Sequence, residues 1–531
     1  MTTSNANVQT KQPVQAVSTT GATTGFLGWV GRVGNKLPSP FMLFTYLAVI
    51  VLLLSWICNM AGVSVTYMAA TAKGLTQTTV TVRNLMSLAY FHEVLRDFVR
   101  IYITFAPLGL VMVAMLGIGY VQDVGFLDAF MRKTVLKCPV VMITFTVAIV
   151  GVCANIASNA GIIISTTLAA AIFASLGRNP ILGAVLGYVC GHGGFTANLM
   201  IAGDDVLLSG ITKAAADSVH ITAPINPLMN WFFLVPATFV IAGVATFVTE
   251  FIMPRYVDTG GKVGKEALAE LILTPDQERG LRWSFWGFLV FAVVLAIGTV
   301  PASGFLRNAN GGILPASPLT EGIIPLIVLL FLITGTAYGL GAKKIKSQHD
   351  VPKLMAAGLR DSLMYFVICF PAAYFIQFFG HSNLAIILSV KGANLLKALS
   401  FTGLPLAVSF VLLVSFLNLF LTSGSAKWMI LAPIFVPMFA AVGFAPALTQ
   451  ICYRIGDTCT NPIAPINFFI PIVIAIMERY KKPDEEIGLG NVISMTLPYS
   501  MGFLVSLLLM LCLWLILELP LGPGAFLWMK S

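Results

Sequence analysis

The chain has 531 residues, of which 57% are hydrophobic and only 10% are charged, and its formal net charge is +9. Soluble domains carry about 25% charged residues, so a water-exposed surface cannot be built from this composition. The composition therefore excludes a cytosolic enzyme, a secreted disulfide scaffold and a nucleic-acid-binding protein, and it indicates an integral protein of the lipid bilayer.

The N-terminal segment 1–35 is rich in Thr, Ser, Gln and Asn and contains no apolar block. This composition predicts a flexible cytoplasmic tail rather than a signal peptide. A single transmembrane domain is expected to follow over residues 36–530.

Apolar blocks of roughly 20 residues, the length that crosses a bilayer, recur along this domain. They predict nine transmembrane helices at about 40–62, 101–121, 180–202, 227–254, 283–303, 321–341, 361–380, 448–478 and 493–517. The fold class is therefore an all-α integral membrane protein.

Two further apolar stretches, 139–176 and 401–443, are each interrupted by small polar residues, at 157–161 and 422–427. The arms on either side have about 15 to 20 residues, borderline for a full crossing, which favours re-entrant helical hairpins. With a cytoplasmic N-terminus and a periplasmic C-terminus, cytoplasmic segments hold about twice as many Lys and Arg residues as outer segments. The two hairpins then open to opposite sides of the membrane.

Each hairpin is followed, about 35 residues after its polar tip, by a span with an irregular centre, at 191–198 and 456–462. Two hairpins of opposite orientation, each followed by a broken span, are typical of an inverted-repeat secondary transporter. The alternative is ordinary helix packing through small polar residues.

The hairpin tips are candidate anion-binding sites because helix starts carry free N–H groups and a partial positive charge. Gly161 begins the returning arm of the first hairpin, and Ser158, Asn159 and Ser425 either cap these helices or donate to a ligand. In the broken spans, oxygen atoms suited to Na⁺ or to a substrate come from Thr196, Asn198, Thr458, Thr460 and Asn461. The alternative there is a kink at Pro462 without a ligand.

Charged residues inside the membrane cost about 2.5 to 3.5 kcal/mol each at the bilayer centre, so they need partners or a function. Arg454 and Asp457 are three residues apart, and we expect them to pair, either structurally or with Arg454 binding a carboxylate while Asp457 changes protonation. Lys427 either faces an anion or extends toward water, and Trp428 either stacks on an aromatic substrate or anchors at the interface.

Two acidic residues, Asp204 and Asp205, follow the third span and are either a cation or proton site or solvated loop carboxylates. His192 lies between glycines and is expected to be packed and neutral, with titration near neutral pH as the alternative.

Several motifs together resemble the p-aminobenzoyl-glutamate transporter (AbgT) family. They are VGNKLP (33–38), SNAG (158–161), GHGGFTANL (191–199), DVLLSG (205–210), SAKW (425–428) and YRIGD (453–457). The resemblance implies a bowl-shaped inner-membrane homodimer with nine spans and two hairpins per protomer. It also implies transport of p-aminobenzoyl-glutamate or, in some members, export of sulfonamides. The family's functional positions fall on Asp205, Asn418, Ser425, Trp428, Pro446, Arg454 and Asp457.

We therefore expect a transporter and not an enzyme, located in a bacterial inner membrane, with an anionic substrate and no cofactor beyond a coupling ion. Protons are the expected coupling ion, with Asp205 and Asp457 as coupling residues and Pro446 and Pro462 as gating positions. The alternative is a Na⁺-coupled dicarboxylate symporter with the same hairpins. A serine hydrolase using Ser425 and a passive channel are more distant alternatives.

Overall fold

The computed structural model describes residues 38–71, 74–136, 139–256, 272–313, 317–481 and 487–529. The predicted tail at 1–35 lies outside the described residues. Up to residue 247 the helices are α1 (Pro40–Met60), α2 (Leu88–Ile103), α3 (Ala106–Asp123), α4 (Phe126–Leu136), α5 (Ile143–Cys153), α6 (Ser158–Ser175), α7 (Pro180–Gly193), α8 (Gly203–Asp217) and α9 (Trp231–Phe247).

The second half of the chain is likewise helical. Its helices are α10 (Pro275–Thr299), α11 (Ile323–Gly341), α12 (Asp350–Gly358), α13 (Leu363–His381), α14 (Leu384–Ala398), α15 (Gly403–Asn418), α16 (Gly424–Ala440), α17 (Pro446–Thr460), α18 (Ile470–Glu478) and α19 (Leu489–Ile516), with a single turn at Pro318–Glu321 before α11.

By length and composition, seven helical segments in the described part of the chain could cross a membrane. They are Pro40–Met60, Leu88–Asp123, Trp231–Arg255, Pro275–Thr299, Ile323–Gly341, Leu363–His381 and Leu489–Ile516. Each overlaps a predicted span, and the chain is accordingly a multi-pass membrane protein. The other two predicted spans, 180–202 and 448–478, are interrupted: α7 ends at Gly193, and a short 3₁₀ turn separates α17 from α18.

The all-α prediction is wrong in one place, because an antiparallel β-hairpin follows α1. Strands β1 (Ser64–Thr71) and β2 (Gly74–Thr81) pair in register from Ser64 opposite Thr81, and the hydroxyls of Thr66 and Thr79 are 2.8 Å apart. The segment is polar and contains no apolar block, so it was not recognised as an element in the sequence. Its β-branched residues suit an extended, half-exposed ribbon. The side-chain amides of Asn59 and Asn383 donate to carbonyl oxygens at Val82 and Thr81, which docks the ribbon onto two helices.

The first predicted hairpin, 139–176, forms a helix–turn–helix of α5 and α6, hereafter hairpin 1. Its tip is the 3₁₀ turn Ala154–Ala157, so the chain reverses slightly before the polar cluster that marked it in sequence. Gly161 is required close to this tip, since a Cβ atom there would overlap the carbonyl oxygen of Ala154. The side chain of Ser158 is outside the described residues.

The second predicted hairpin, 401–443, forms α15 and α16, hereafter hairpin 2. Its tip reaches Ser423, whose hydroxyl caps α16 by accepting from the Ala426 N–H at 3.4 Å. Helix α14 was not predicted, and it packs against α16.

The interrupted spans pack directly on the hairpins, α7 along α6 and α17 along α15. Close approach of α7 to α6 depends on Gly187, where a Cβ atom would collide with the carbonyl oxygen of Ser165. Small residues at helix contacts allow tight packing in membranes. Such packing matters there because the hydrophobic effect does not drive helices together in lipid. Each hairpin is thereby held against one broken span.

Candidate functional site

A cavity of about 240 Å³ lies where the two hairpin tips and the two broken spans converge. Its polar lining consists of Gln122, Asn155, Asn159, His192, Asp204, Ser362, Tyr365, Thr422, Ser423, Ser425, Asp457, Asn461 and Asn467. The predicted site residues Asn159, Ser425, Asp457 and Asn461, which are as much as 302 positions apart in sequence, therefore line one space. The aromatic rings of Phe195, Phe468 and Phe469 complete the wall.

The irregular centres of the two broken spans touch each other. The hydroxyls of Thr196 and Thr458 are 2.5 Å apart, and both side chains are fully buried. Nearby, the backbone N–H of Asn198 donates to the carbonyl oxygen of Leu234 at 3.3 Å, while its side-chain nitrogen is buried without a hydrogen-bond partner. Thr460 faces away from this pair and donates to the carbonyl oxygen of Ser415 at 3.0 Å. A Na⁺ site near these four residues stays a prediction.

The expected pairing of Arg454 with Asp457 is wrong, because each has a different partner. Arg454 Nη1 lies 2.6 Å from Asp205 Oδ1, and Arg454 Nε donates to the carbonyl oxygen of Phe195 at 2.6 Å. The two residues are three apart on α17, but Arg454 reaches the start of α8 while Asp457 reaches the tip of hairpin 2. A spacing of three residues places two side chains on the same face of a helix. It does not determine whether they bind each other or residues of neighbouring helices.

Asp457 is bound by Lys427, whose Nζ lies 2.5 Å from Asp457 Oδ1. The second carboxylate oxygen accepts from the Asn461 amide at 2.6 Å. Lys427 also donates to the side-chain oxygen of Asn418 and, at 3.1 Å, to the carbonyl oxygen of Leu421. Of the two alternatives predicted for Lys427, extension to water is wrong in this conformation, because its buried ammonium neutralises Asp457. Binding of an anion by Lys427 stays a prediction.

Asn418 connects the first arm of hairpin 2 to the break in α17. Its amide nitrogen donates to the carbonyl oxygen of Asp457 at 2.8 Å and lies 3.1 Å from both Thr460 Oγ1 and Asn461 Oδ1. The residue is fully buried. It fixes the groups that surround the cavity rather than lining the cavity itself.

The indole ring of Trp428 is buried behind the cavity wall. It stacks on Tyr453 with ring centroids 4.5 Å apart, and its Nε1 donates to Thr212 Oγ1 at 2.9 Å. Gln450 donates to the same hydroxyl at 3.0 Å. The ring is fully buried and does not line the cavity in this conformation, so an anchor at the membrane interface is wrong. Stacking on a substrate ring stays a prediction. Tyr453, Thr212 and Gln450 were missed, since nothing in the sequence pairs residues on α8, α16 and α17.

The two neighbouring acids at the start of α8 differ in environment. Asp205 is buried, caps its helix by accepting from the Ala202 N–H at 2.7 Å, and pairs with Arg454. Asp204 lines the cavity and accepts from the side-chain nitrogen of Asn155 at 3.2 Å. Asn155 is also absent from the sequence predictions, although its position four residues before Asn159 was an available signal.

His192 is packed as expected, with its ring edge-on to Tyr188 and Phe469. Its Nδ1 lies 3.1 Å from the Tyr188 carbonyl oxygen, and its Nε2 lies 2.9 Å from the Asn467 amide nitrogen. A donor at Nδ1 and an acceptor at Nε2 describe the neutral imidazole.

The two prolines predicted as gating positions occupy helix boundaries. Pro446 is the first residue of α17, where its missing N–H costs nothing. Pro462 lies in the 3₁₀ turn Asn461–Ile463 that interrupts the span, and its carbonyl oxygen accepts from Thr496 at 3.3 Å. A role in gating stays a prediction.

Comparison with known proteins agrees with this architecture over nearly the whole chain. Residues 25–529 match the AbgT transporter family. The chain is 37% identical to the p-aminobenzoyl-glutamate transport protein of Escherichia coli strain K12, covering 94% of this chain and 96% of that protein.

Two solved structures have the same fold. The MtrF protein of Neisseria gonorrhoeae, described as illuminating a class of antimetabolite efflux pumps, is 36% identical, with a TM-score of 0.87 over 94% of this chain and 100% of that one. The YdaH transporter of Alcanivorax borkumensis is 30% identical, with a TM-score of 0.83 over 92% of this chain and 100% of that one. The chain belongs to the AbgT family of membrane transporters, and its relatives are transporters rather than enzymes.

Proposed function

We propose that this protein is a proton-coupled secondary transporter of p-aminobenzoyl-glutamate or related aromatic anions, including sulfonamide antimetabolites. The observation that carries the proposal is the single cavity shared by both hairpin tips, both broken spans and Asp457. A relative that transports p-aminobenzoyl-glutamate and one described among antimetabolite efflux pumps support the substrate class.

Binding of the anion uses the starts of α6 and α16, which both adjoin the cavity. Their free N–H groups and the side chains of Asn159, Ser425 and Asn461 offer donors to carboxylate or sulfonamide oxygens. The aminobenzoyl ring packs against the phenylalanine wall, where aromatic pairs gain about 0.5 to 1.5 kcal/mol beyond area burial. This arrangement favours an aromatic anion over a plain dicarboxylate.

Coupling uses the buried acids Asp205 and Asp457, each held by one cation. Protonation of Asp457 removes its charge and frees the ammonium of Lys427 for a substrate carboxylate, so that proton and anion binding depend on each other. In the same way, protonation of Asp205 frees the guanidinium of Arg454. Alternating access follows when the hairpins expose this cavity to one side of the membrane at a time.

The proposed setting is a bacterial inner membrane, with nine spans, two oppositely oriented re-entrant hairpins, a cytoplasmic N-terminus, a periplasmic C-terminus and a homodimeric assembly. The Lys and Arg distribution supports the orientation. The seven apolar helices together with the interrupted segments of α7 and α17–α18 support the span number.

The test is counterflow of labelled p-aminobenzoyl-glutamate in proteoliposomes, with unlabelled p-aminobenzoyl-glutamate, a sulfonamide or succinate as the exchanging solute. Proton and sodium gradients are then imposed separately on the wild type and on Asp457→Asn. We expect exchange with the aromatic solutes, gradient-driven movement with protons alone, and loss of that movement in the variant. Preference for succinate together with a requirement for Na⁺ would overturn the proposal in favour of a dicarboxylate symporter.

A further inference from the structure

Asp204 differs from the other acids around the cavity because its carboxylate is not part of a described ion pair. Asp457 pairs with Lys427, and Asp205 pairs with Arg454. Among the residues that the structure describes, Asp204 forms no ion pair, and it accepts a hydrogen bond from the neutral amide of Asn155. The two ion pairs are each neutral, so among the described acids that line the cavity Asp204 is the one whose charge no ion pair balances.

We propose that Asp204 is a proton-binding residue of the cavity, and that its hydrogen bond to Asn155 links proton binding to the tip of hairpin 1. This inference rests on the proposed transport of an anion. An anionic substrate entering the cavity meets the unpaired carboxylate of Asp204 in surroundings of low dielectric constant, where like charges repel strongly. A proton on Asp204 removes the repulsion, so anion and proton enter together.

The surroundings of Asp204 suit a proton better than a metal ion. Asp204 Oδ2 accepts from an N–H group of Asn155, and the partial positive charge of that group would repel a bound cation. The charged or titratable groups that act on Asp204 or line the cavity with it are Asp205 on the same helix, Arg454, Asp457 and Tyr453 on α17, His192 on α7 and Tyr365 on α13. No group of three or more His, Cys, Asp or Glu residues that could hold a metal occurs in the described ranges.

The contact with Asn155 couples this site to a movable element. Asn155 lies in the Ala154–Ala157 turn, and a Cβ atom on Gly194 would collide with its side chain, so the tip also rests on the break after α7. A hydrogen bond to a charged carboxylate is about twice as strong as one between neutral groups. Protonation of Asp204 therefore weakens the contact that holds the tip of hairpin 1 against α8.

Transport by Asp204→Asn tests the coupling role in proteoliposomes. The matched control is Asp217→Asn, at the exposed end of the same helix. A pH difference of one unit supports up to about tenfold accumulation for each coupled proton. We expect Asp204→Asn to lose up to about tenfold of the pH-driven accumulation of labelled p-aminobenzoyl-glutamate, when accumulation is expressed relative to the counterflow of the same variant at equal pH. Accumulation equal to that of the wild type and of Asp217→Asn would overturn the inference.

A measurement without substrate separates this inference from the proposed function. Infrared difference spectra of the purified protein across a pH titration should contain the band of a protonated carboxylic acid. One component of that band should be absent in Asp204→Asn, retained in Asp217→Asn and Asp204→Glu, and displaced to higher pH in Asn155→Ala, which lacks the donor to the charged form. The components that belong to Asp205 and Asp457 should remain in all four variants. An unchanged titration in Asp204→Asn overturns the assignment even if transport is intact. If the wild type does not transport p-aminobenzoyl-glutamate but the Asp204→Asn variant still loses its part of the band, the assignment of Asp204 is supported and the proposed function fails.

Discussion

Lys427 Nζ lies 2.5 Å from Asp457 Oδ1, and the two side chains are 1% and 0% exposed. Removing either partner leaves an uncompensated buried charge, which costs about 3 to 5 kcal/mol. We predict that Lys427→Met and Asp457→Asn each lower the unfolding temperature in detergent and that the double variant recovers most of the loss. Unfolding followed by intrinsic fluorescence measures this. Additive losses in the double variant would show that the two groups are not energetically coupled.

The hydrogen bond between Thr196 and Thr458 joins the two broken spans. Replacing one threonine by valine leaves the other hydroxyl buried and unsatisfied, at a cost of about 1 to 3 kcal/mol, whereas replacing both removes the unpaired group. We predict that Thr196→Val and Thr458→Val are each less stable than the double variant. The same three proteins also test the Na⁺ prediction: if these hydroxyls bind the coupling ion, the double variant loses a sodium dependence that the wild type has.

Trp428 is bound through stacking on Tyr453 and a hydrogen bond to Thr212. Trp428→Phe retains an aromatic ring but leaves the Thr212 hydroxyl without this donor, so we predict a loss of about 1 kcal/mol in stability. We also predict little change in the KM for p-aminobenzoyl-glutamate, since the ring lies behind the cavity wall. Thr212→Val is the matched variant. A large rise in KM for Trp428→Phe alone would indicate direct contact with the substrate in another conformation.

Gly187 permits the close packing of α7 on α6. Gly187→Ala places a methyl group against the carbonyl oxygen of Ser165, and overpacking of this kind costs about 1 to 3 kcal/mol. We predict a lower unfolding temperature and slower transport, because α6 would be displaced from the broken span. The control is Gly109→Ala on α3, where a Cβ atom meets nothing within 4 Å. Equal behaviour of the two variants would contradict the packing argument.

Much of the fold was predictable because it depends on local composition. In the described part of the chain, apolar blocks located the seven long helical segments, although only the second half of Leu88–Asp123 was predicted. The polar interruptions marked both helix–turn–helix hairpins and both broken spans. The β-hairpin after α1 and the shorter helices α2, α4, α8, α12 and α14 were missed. None of them is an apolar block of about 20 residues, so a search for membrane-spanning blocks does not find them.

The candidate site was predictable as a set of residues but not as a set of contacts. Asn159, Ser425, Asp457 and Asn461 do line one cavity, whereas Trp428 and Asn418 lie behind its wall. The neighbours Asp204 and Asp205 could not be distinguished in sequence, yet one faces the cavity and the other caps a helix. Adjacent residues on a helix point about 100° apart, and only the packing of α8 decides which direction is the cavity.

The sequence by itself determined that this chain is a membrane protein with two polar-tipped helical hairpins, because hydrophobic length and polar interruptions are properties of contiguous residues. Only the tertiary structure decided that Arg454 binds Asp205 and that Lys427 binds Asp457. A buried charge takes the partner that packing brings within reach, and here that partner comes from α8 or from hairpin 2 rather than from the same helix.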